Sequence, residues 1–150
     1  PAPADIGPEL SRDYRGLRLW LPLMLHGAGA FRSALAEKLA LAQQIDAGLE
    51  ALIGDGLPIE IVDRAQLSLS SFRFSRRAGE PVEAWNARNT AWMSAINERG
   101  RAYLSSTALP VEGESTRVFT LRTCVLSFRT HAPHIDALLE DLAATARELA

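Results

Sequence analysis

The chain has 150 residues, a formal net charge of -2 and a pI of about 5.9, which fit one domain, or one domain with an arm, and argue against electrostatic capture of nucleic acid. A hydrophobic fraction of 47% supports a packed core and is too high for a disordered chain. The single cysteine, Cys124, excludes an internal disulfide framework and fits a reducing cytoplasm, and the most apolar run, Leu17 to His26, is broken by Arg18 and Pro22 and too short to cross a bilayer.

Residues 1–10, with three prolines and a glycine, read as an extended arm. Ser11 is placed to cap a helix running to about His26, with a kink expected at Pro22. Gly27 and Gly29 separate it from a long second helix, about Ala30 to Ile53. There Phe31, Leu35, Leu39, Ala42, Ile45, Leu49 and Leu52 recur at steps of three and four. Gly54 and Gly56 stop that helix. Leu57 to Val62 alternates as a strand. Gln66 to Ser75 reads as a second strand whose alternation changes phase between Leu69 and Phe72, implying a bulge or burial on both faces.

A third helix covers about Val82 to Arg99, with Trp85, Trp92 and Ile96 on one side. Two strands follow, Arg101 to Ala108 and Thr116 to Leu126. Thr130 is placed to cap a last helix with Pro133 in its first turn. Strands in adjacent pairs favour an α+β arrangement over a wound parallel sheet. The fold class expected is α/β in the broad sense, α+β in detail: a four-stranded, mostly antiparallel sheet with helices on one face, preceded by an arm (1–10) and a helical segment (11–54), the α+β part being 55–150.

Few side chains suggest chemistry. His131 and His134 lie three apart at the start of the last helix, and two imidazoles alone make a poor metal site. Lys38, the only lysine, falls near the apolar stripe of the second helix. A desolvated lysine can act as a nucleophile, but no acidic partner or phosphate cradle is legible around it, so snorkelling along the stripe edge is expected. Cys124, mid-strand, reads as a small buried apolar group. The last strand sends Phe119, Leu121, Thr123 and Val125 to one face, and Val118, Thr120, Arg122, Cys124 and Leu126 to the other. Arg122 is thereby centred on a strand face. It either pairs with a carboxylate of its own chain or reaches one on a ligand or a covering domain.

Several segments, in order, resemble one family. Ser11-Arg12-Asp13-Tyr14-Arg15-Gly16-Leu17-Arg18-Leu19-Trp20 is similar to the S-R-x-x-R-x-L-K/R-x-W segment of the pyridoxal-phosphate-dependent group II decarboxylases. Leu67 to Arg73 resembles their hydrophobic strand, and Ile96-Asn97-Glu98-Arg99-Gly100-Arg101-Ala102-Tyr103-Leu104 their I-N-x-x-G-x-x-Y/F-L segment. Leu121-Arg122 and Phe128-Arg129-Thr130 resemble their L-R and R-T endings. Asp13 and Ser127 depart from the residues that many members carry, arginine and asparagine.

The resemblance implies the C-terminal small domain of a fold-type I amino-acid decarboxylase, whose cofactor lysine and phosphate-binding residues lie upstream in a large domain. It implies pyridoxal phosphate in the full-length enzyme and none on this chain, which would be inactive alone. The partners implied are the large domain, a second subunit in a cytoplasmic homodimer and an amino-acid substrate, with no nucleic acid or membrane. It places Arg122, Arg12 and Ser11 as substrate-binding residues, with Arg122 beside the substrate carboxylate, and no catalytic residue in this chain. The competing readings are another fold-type I enzyme, such as an aminotransferase or lyase, and a stand-alone α+β binding module.

Overall fold

The computed structural model describes Tyr14–Leu149, and the chain falls into two compact units that divide between Leu35 and Ala36. The proposed arm, Ser11 and Arg12 lie outside the described residues. Helix α1 is continuous in its limits, Arg15–Gly54, but its helical path breaks at Gly27, where φ is 76° and ψ is 154°. Only glycine adopts that conformation without steric cost. The break falls at Gly27, where the sequence reading separates two helices, whereas Pro22, expected to kink the first, sits inside it with helical backbone angles. In the first unit Leu19 and Trp20 are exposed and Leu23 is half-buried.

The second unit begins with the remainder of α1. Leu41, Ala42, Ile45 and Leu49 recur at helical spacing and are buried, whereas Phe31, Leu35 and Leu39, part of the same sequence stripe, are exposed. Strands β1 (Ile59–Asp63) and β2 (Leu69–Phe74), helix α2 (Val82–Glu98), strands β3 (Ser105–Leu109) and β4 (Val118–Cys124), and helix α3 (Ala132–Leu149) follow. The sheet order is β1-β2-β4-β3 and every pairing is antiparallel. The phase change read in β2 is explained by burial on both faces: Ser70 through Phe74 are all buried. The irregularity lies opposite, in β1, where the register shifts between Ile61 and Asp63.

The main core forms where the helices cover one sheet face, and a second, smaller cluster joins Val82 and Trp85 of α2 to Val118 of β4. Ile59, Phe72, Phe74, Leu121 and Val125 meet Ile45 and Leu49 of α1, Trp92 and Ile96 of α2, and Leu138 and Leu142 of α3. Phe119, expected to be buried with them, is half-buried at the margin. Trp92 is the centrepiece, stacked on Phe74 at 4.2 Å between ring centroids and edge-on to Phe72 at 5.6 Å. Its indole N–H donates to Thr145 Oγ1 of α3 at 3.0 Å, so the buried polar tip is satisfied. At Gly48 the helices approach so closely that a Cβ would collide with the Leu139 side chain.

The ladder between β2 and β4 runs from Leu69 opposite Cys124 to Phe72 opposite Leu121 and then stops. Below that point α2 supplies the missing bonds to both strands. The Phe74 N–H donates to Asn89 Oδ1 at 2.8 Å, and the Phe74 carbonyl accepts from the Trp85 indole at 2.7 Å. The Phe119 N–H donates to Asn86 Oδ1 at 2.7 Å, and the Arg117 carbonyl accepts from Asn86 Nδ2 at 3.1 Å. Sheet backbone buried without partners would be costly, and three side chains of one helix remove that cost. Nearby, Glu80 and Arg88 form a two-bond ion pair at 2.8 and 3.0 Å, with both side chains about nine-tenths buried. The Arg88 fork holds the Glu80 carboxyl below the usual carboxylate range.

Asn89 is fully buried, so Asn89→Leu keeps the volume and strands the Phe74 N–H. We expect a loss of about 1–3 kcal/mol, seen by calorimetry as a fall of several degrees in Tm. An unchanged Tm would show that the helix side chains do not carry the split in the sheet.

Candidate functional site

The sheet face turned away from the helix-packed core carries Leu69, Ser71 and Arg73 from β2, Arg122 and Cys124 from β4, and Ser105 and Thr107 from β3, by strand alternation and register. Arg122 lies at its centre, directly opposite Ser71 on one side and Ser105 on the other. It is half-buried, and its Nε donates to Ser105 Oγ at 3.1 Å. Ser71 is buried and donates instead to Asp63 Oδ2 at 3.2 Å. Both flanking side chains are short, so neither overtops the guanidinium.

The face holds a second arginine, and the two differ in charge balance. Arg73 pairs through Nε with Glu60, its register partner on β1, and its guanidinium lies 4.6 Å from the Trp85 ring centroid. That arginine is neutralised in place, although its buried Nη1 has no partner. Arg122 has no carboxylate partner among the described residues, and Ser105 is the side-chain partner shown for it. A half-buried cation facing hydroxyls but no anion is suited to receive a carboxylate from outside the unit. At one end of the face the surroundings turn apolar: Leu67, Leu69, Tyr103 and Leu126 are exposed, and the Val125 N–H bonds the Ser68 carbonyl to continue the strand contact there.

Cys124 corrects an expectation. It is exposed, because it ends the ladder opposite Leu69 on the open face rather than in the core. It also lines a cleft of about 310 Å³ with Tyr103, Val125, Thr130, His134 and Leu138. Arg101 borders this cleft, but its guanidinium is committed to the fully buried Asp141 and to Glu140. Those bonds, Asp141 first, push the arginine above its ordinary value. Arg99 also reaches Asp141, at 2.9 Å.

Lys38 is the second correction. It is 5% exposed, so it does not snorkel: its ammonium donates to the Thr130 carbonyl and pairs with Glu37 Oε2 at 2.9 Å. Desolvation is tolerated because both partners are fixed by α1 and by the turn before α3. Thr130, expected as the cap, offers its carbonyl to Lys38. His131 directly precedes α3, its N–H donating to His134 Nδ1 at 3.1 Å and its own ring meeting Glu37 Oε1 at 2.7 Å. No group of three or more candidate metal ligands is present among the described residues. A cofactor amine needs a free nitrogen beside an acidic partner for the pyridine ring and a phosphate cradle. The Lys38 nitrogen is already bound on two sides and does not fit that role.

Ser11 and Arg12 lie outside the described residues, so of the three proposed substrate-binding residues Arg122 is the one placed. Sequence reading missed the Arg73–Glu60 pair and Ser105. The alternation of β2 could have put Arg73 in phase with Ser71, but only strand pairing could show which residues flank Arg122.

No family model matches the chain. An aromatic-L-amino-acid decarboxylase of Bacillus atrophaeus is 30% identical over 145 residues, which are 97% of this chain and 28% of that protein. The tryptophan decarboxylase of Catharanthus roseus, solved with L-tryptophan, covers 92% of this chain with 27% of its own, at 25% identity and a TM-score of 0.73. Over nearly its whole length the chain is similar to a part of the pyridoxal-phosphate-dependent group II decarboxylases. The tryptophan decarboxylase of Oryza sativa, solved with pyridoxal phosphate and tryptamine, has the same fold over 96% of this chain and 29% of its own, with a TM-score of 0.73 at 24% identity. The chain therefore spans less than a third of the length of these group II relatives. The α+β arrangement and antiparallel sheet read from sequence are those of a small domain of such enzymes. No helix among the described residues is long and apolar enough to cross a membrane.

Hydrogen bonds from His131 and then Lys38 hold the Glu37 carboxyl below its ordinary value of 4.5. A depressed carboxyl stabilises the fold fully above its unfolded value and loses that contribution as pH falls through the lower folded value. The Tm gap between wild type and Glu37→Gln should therefore be largest near neutral pH and close as pH falls through the lowered folded value. A gap that widens in acid would contradict this assignment.

Proposed function

We propose that this chain is the C-terminal small domain of a pyridoxal-phosphate-dependent amino-acid decarboxylase, and that Arg122 receives the substrate carboxylate. The observation that carries this is the charge contrast on the open sheet face. Arg73 has its own carboxylate, whereas Arg122, centred between two serines, has none among the described residues. The family likeness supports the reaction class. The relatives' names make aromatic L-amino acids the first substrates to assay.

In this reading the open face is turned to the cofactor-bearing large domain, which also supplies the cofactor lysine. Bound there, pyridoxal phosphate would supply the electron sink that decarboxylation needs. This chain contributes binding and orientation. Arg122 fixes the carboxylate, the exposed apolar rim of Leu67, Leu69 and Leu126 is covered, and water is kept from the reacting region. Arg12 and Ser11 are proposed to line the substrate pocket beside it. The chain alone is inactive, and the full enzyme is a cytoplasmic homodimer.

Arg122→Lys in the full-length enzyme keeps the charge and loses the planar fork. We expect kcat/KM to fall about ten- to a thousand-fold, as for a lost charge-assisted contact, with Tm little changed. A destabilised enzyme of normal activity would instead mark Arg122 as structural. Lys38→Met should leave the visible absorbance of the bound cofactor intact while lowering Tm, since the ammonium is spent on Thr130 and Glu37. Loss of that absorbance in a folded Lys38→Met enzyme would overturn its structural assignment.

A further inference from the structure

We infer that Ser105 is the positioning residue that aims Arg122. This deepens, and rests on, the reading of Arg122 as the carboxylate receptor. Ser105 is the direct register partner of Arg122 across β3 and β4, and its hydroxyl accepts from Nε at 3.1 Å. An arginine has two edges that can grip a carboxylate: Nε with one Nη, and the two Nη together. Occupying Nε closes the first edge and leaves the second as the fork.

The arrangement also restrains a side chain that is otherwise free to sample many rotamers. On the opposite side the Ser71 hydroxyl donates to Asp63, while the Arg122 Nε proton is held by Ser105. Neighbouring Ser106 pairs with Leu121 and, by strand alternation, points to the other face. The sequence thus offers two adjacent serines, of which the pairing register selects one. Without the Ser105 hydroxyl, Arg122 keeps its charge but loses its aim, so the cost falls on carboxylate recognition rather than on folding.

The test uses the full-length holoenzyme, the amino acid found to be decarboxylated in the Arg122 assays, and the corresponding amine as a carboxylate-free competitor. Ser105→Ala should raise KM about three- to tenfold with kcat within about twofold, as for loss of one ordinary hydrogen bond that acts on the carboxylate only through Arg122. The inhibition constant of the amine and the Tm should stay unchanged. Ser105→Thr should restore KM, and Ser106→Ala should match wild type. If Ser105→Ala leaves KM unchanged while Arg122→Lys impairs the enzyme, the positioning role is wrong and the receptor role stands. The positioning role also falls if Ser105→Ala weakens the amine as much as the amino acid, or if Ser106→Ala has the same effect. A harmless Arg122→Lys would remove the receptor reading and this inference with it.

Discussion

The union of α2 with the parted strands is what the rest of the second unit depends on. Where β2 and β4 stop pairing, backbone groups of Phe74, Arg117 and Phe119 would be left open, and Asn86, Asn89 and Trp85 fill them from one helix. The same helix carries Trp92, whose ring packs on Phe72 and Phe74 and whose indole N–H reaches α3. Polar and apolar contacts are thus made by one helix to two strands and another helix. That fixes which sheet face is the core, and so which face remains open.

The open face acquires its chemistry from that choice. With the helices on one side, every second residue of β2, β3 and β4 is turned to the other. Two arginines arrive there by alternation, and their neighbours differentiate them. Glu60 stands opposite Arg73 and neutralises it, while serines stand opposite Arg122 on both sides. The same residue type on adjacent strands therefore differs in its partner, one paired with a carboxylate and one bonded to a serine hydroxyl.

A second set of charges ties the turn before α3 to α1. Lys38 and Glu37 hold Thr130 and His131, so the only lysine of the chain is structural. This turn follows β4 directly and borders the cleft beside Cys124 and His134. Anchoring it keeps the end of β4 in register with β2, because the Val125 N–H bond to Ser68 extends the contact between those strands.

Periodicity in the sequence was enough to establish the helices, the four strands and the α+β class, because apolar spacing of three to four or of two reports directly on which face is buried. It also placed Arg122 on the strand face away from the core. Lys38 and Cys124 were misread for a common reason: burial of a single side chain depends on what another element brings against it. The Thr130 carbonyl, 92 residues away in sequence, meets Lys38, and the end of the ladder leaves Cys124 open. Which serine touches Arg122, and which arginine has its own carboxylate, depend on strand order and register. Only the tertiary structure decides those, since side-chain partners across a sheet are fixed by pairing and not by spacing along one strand.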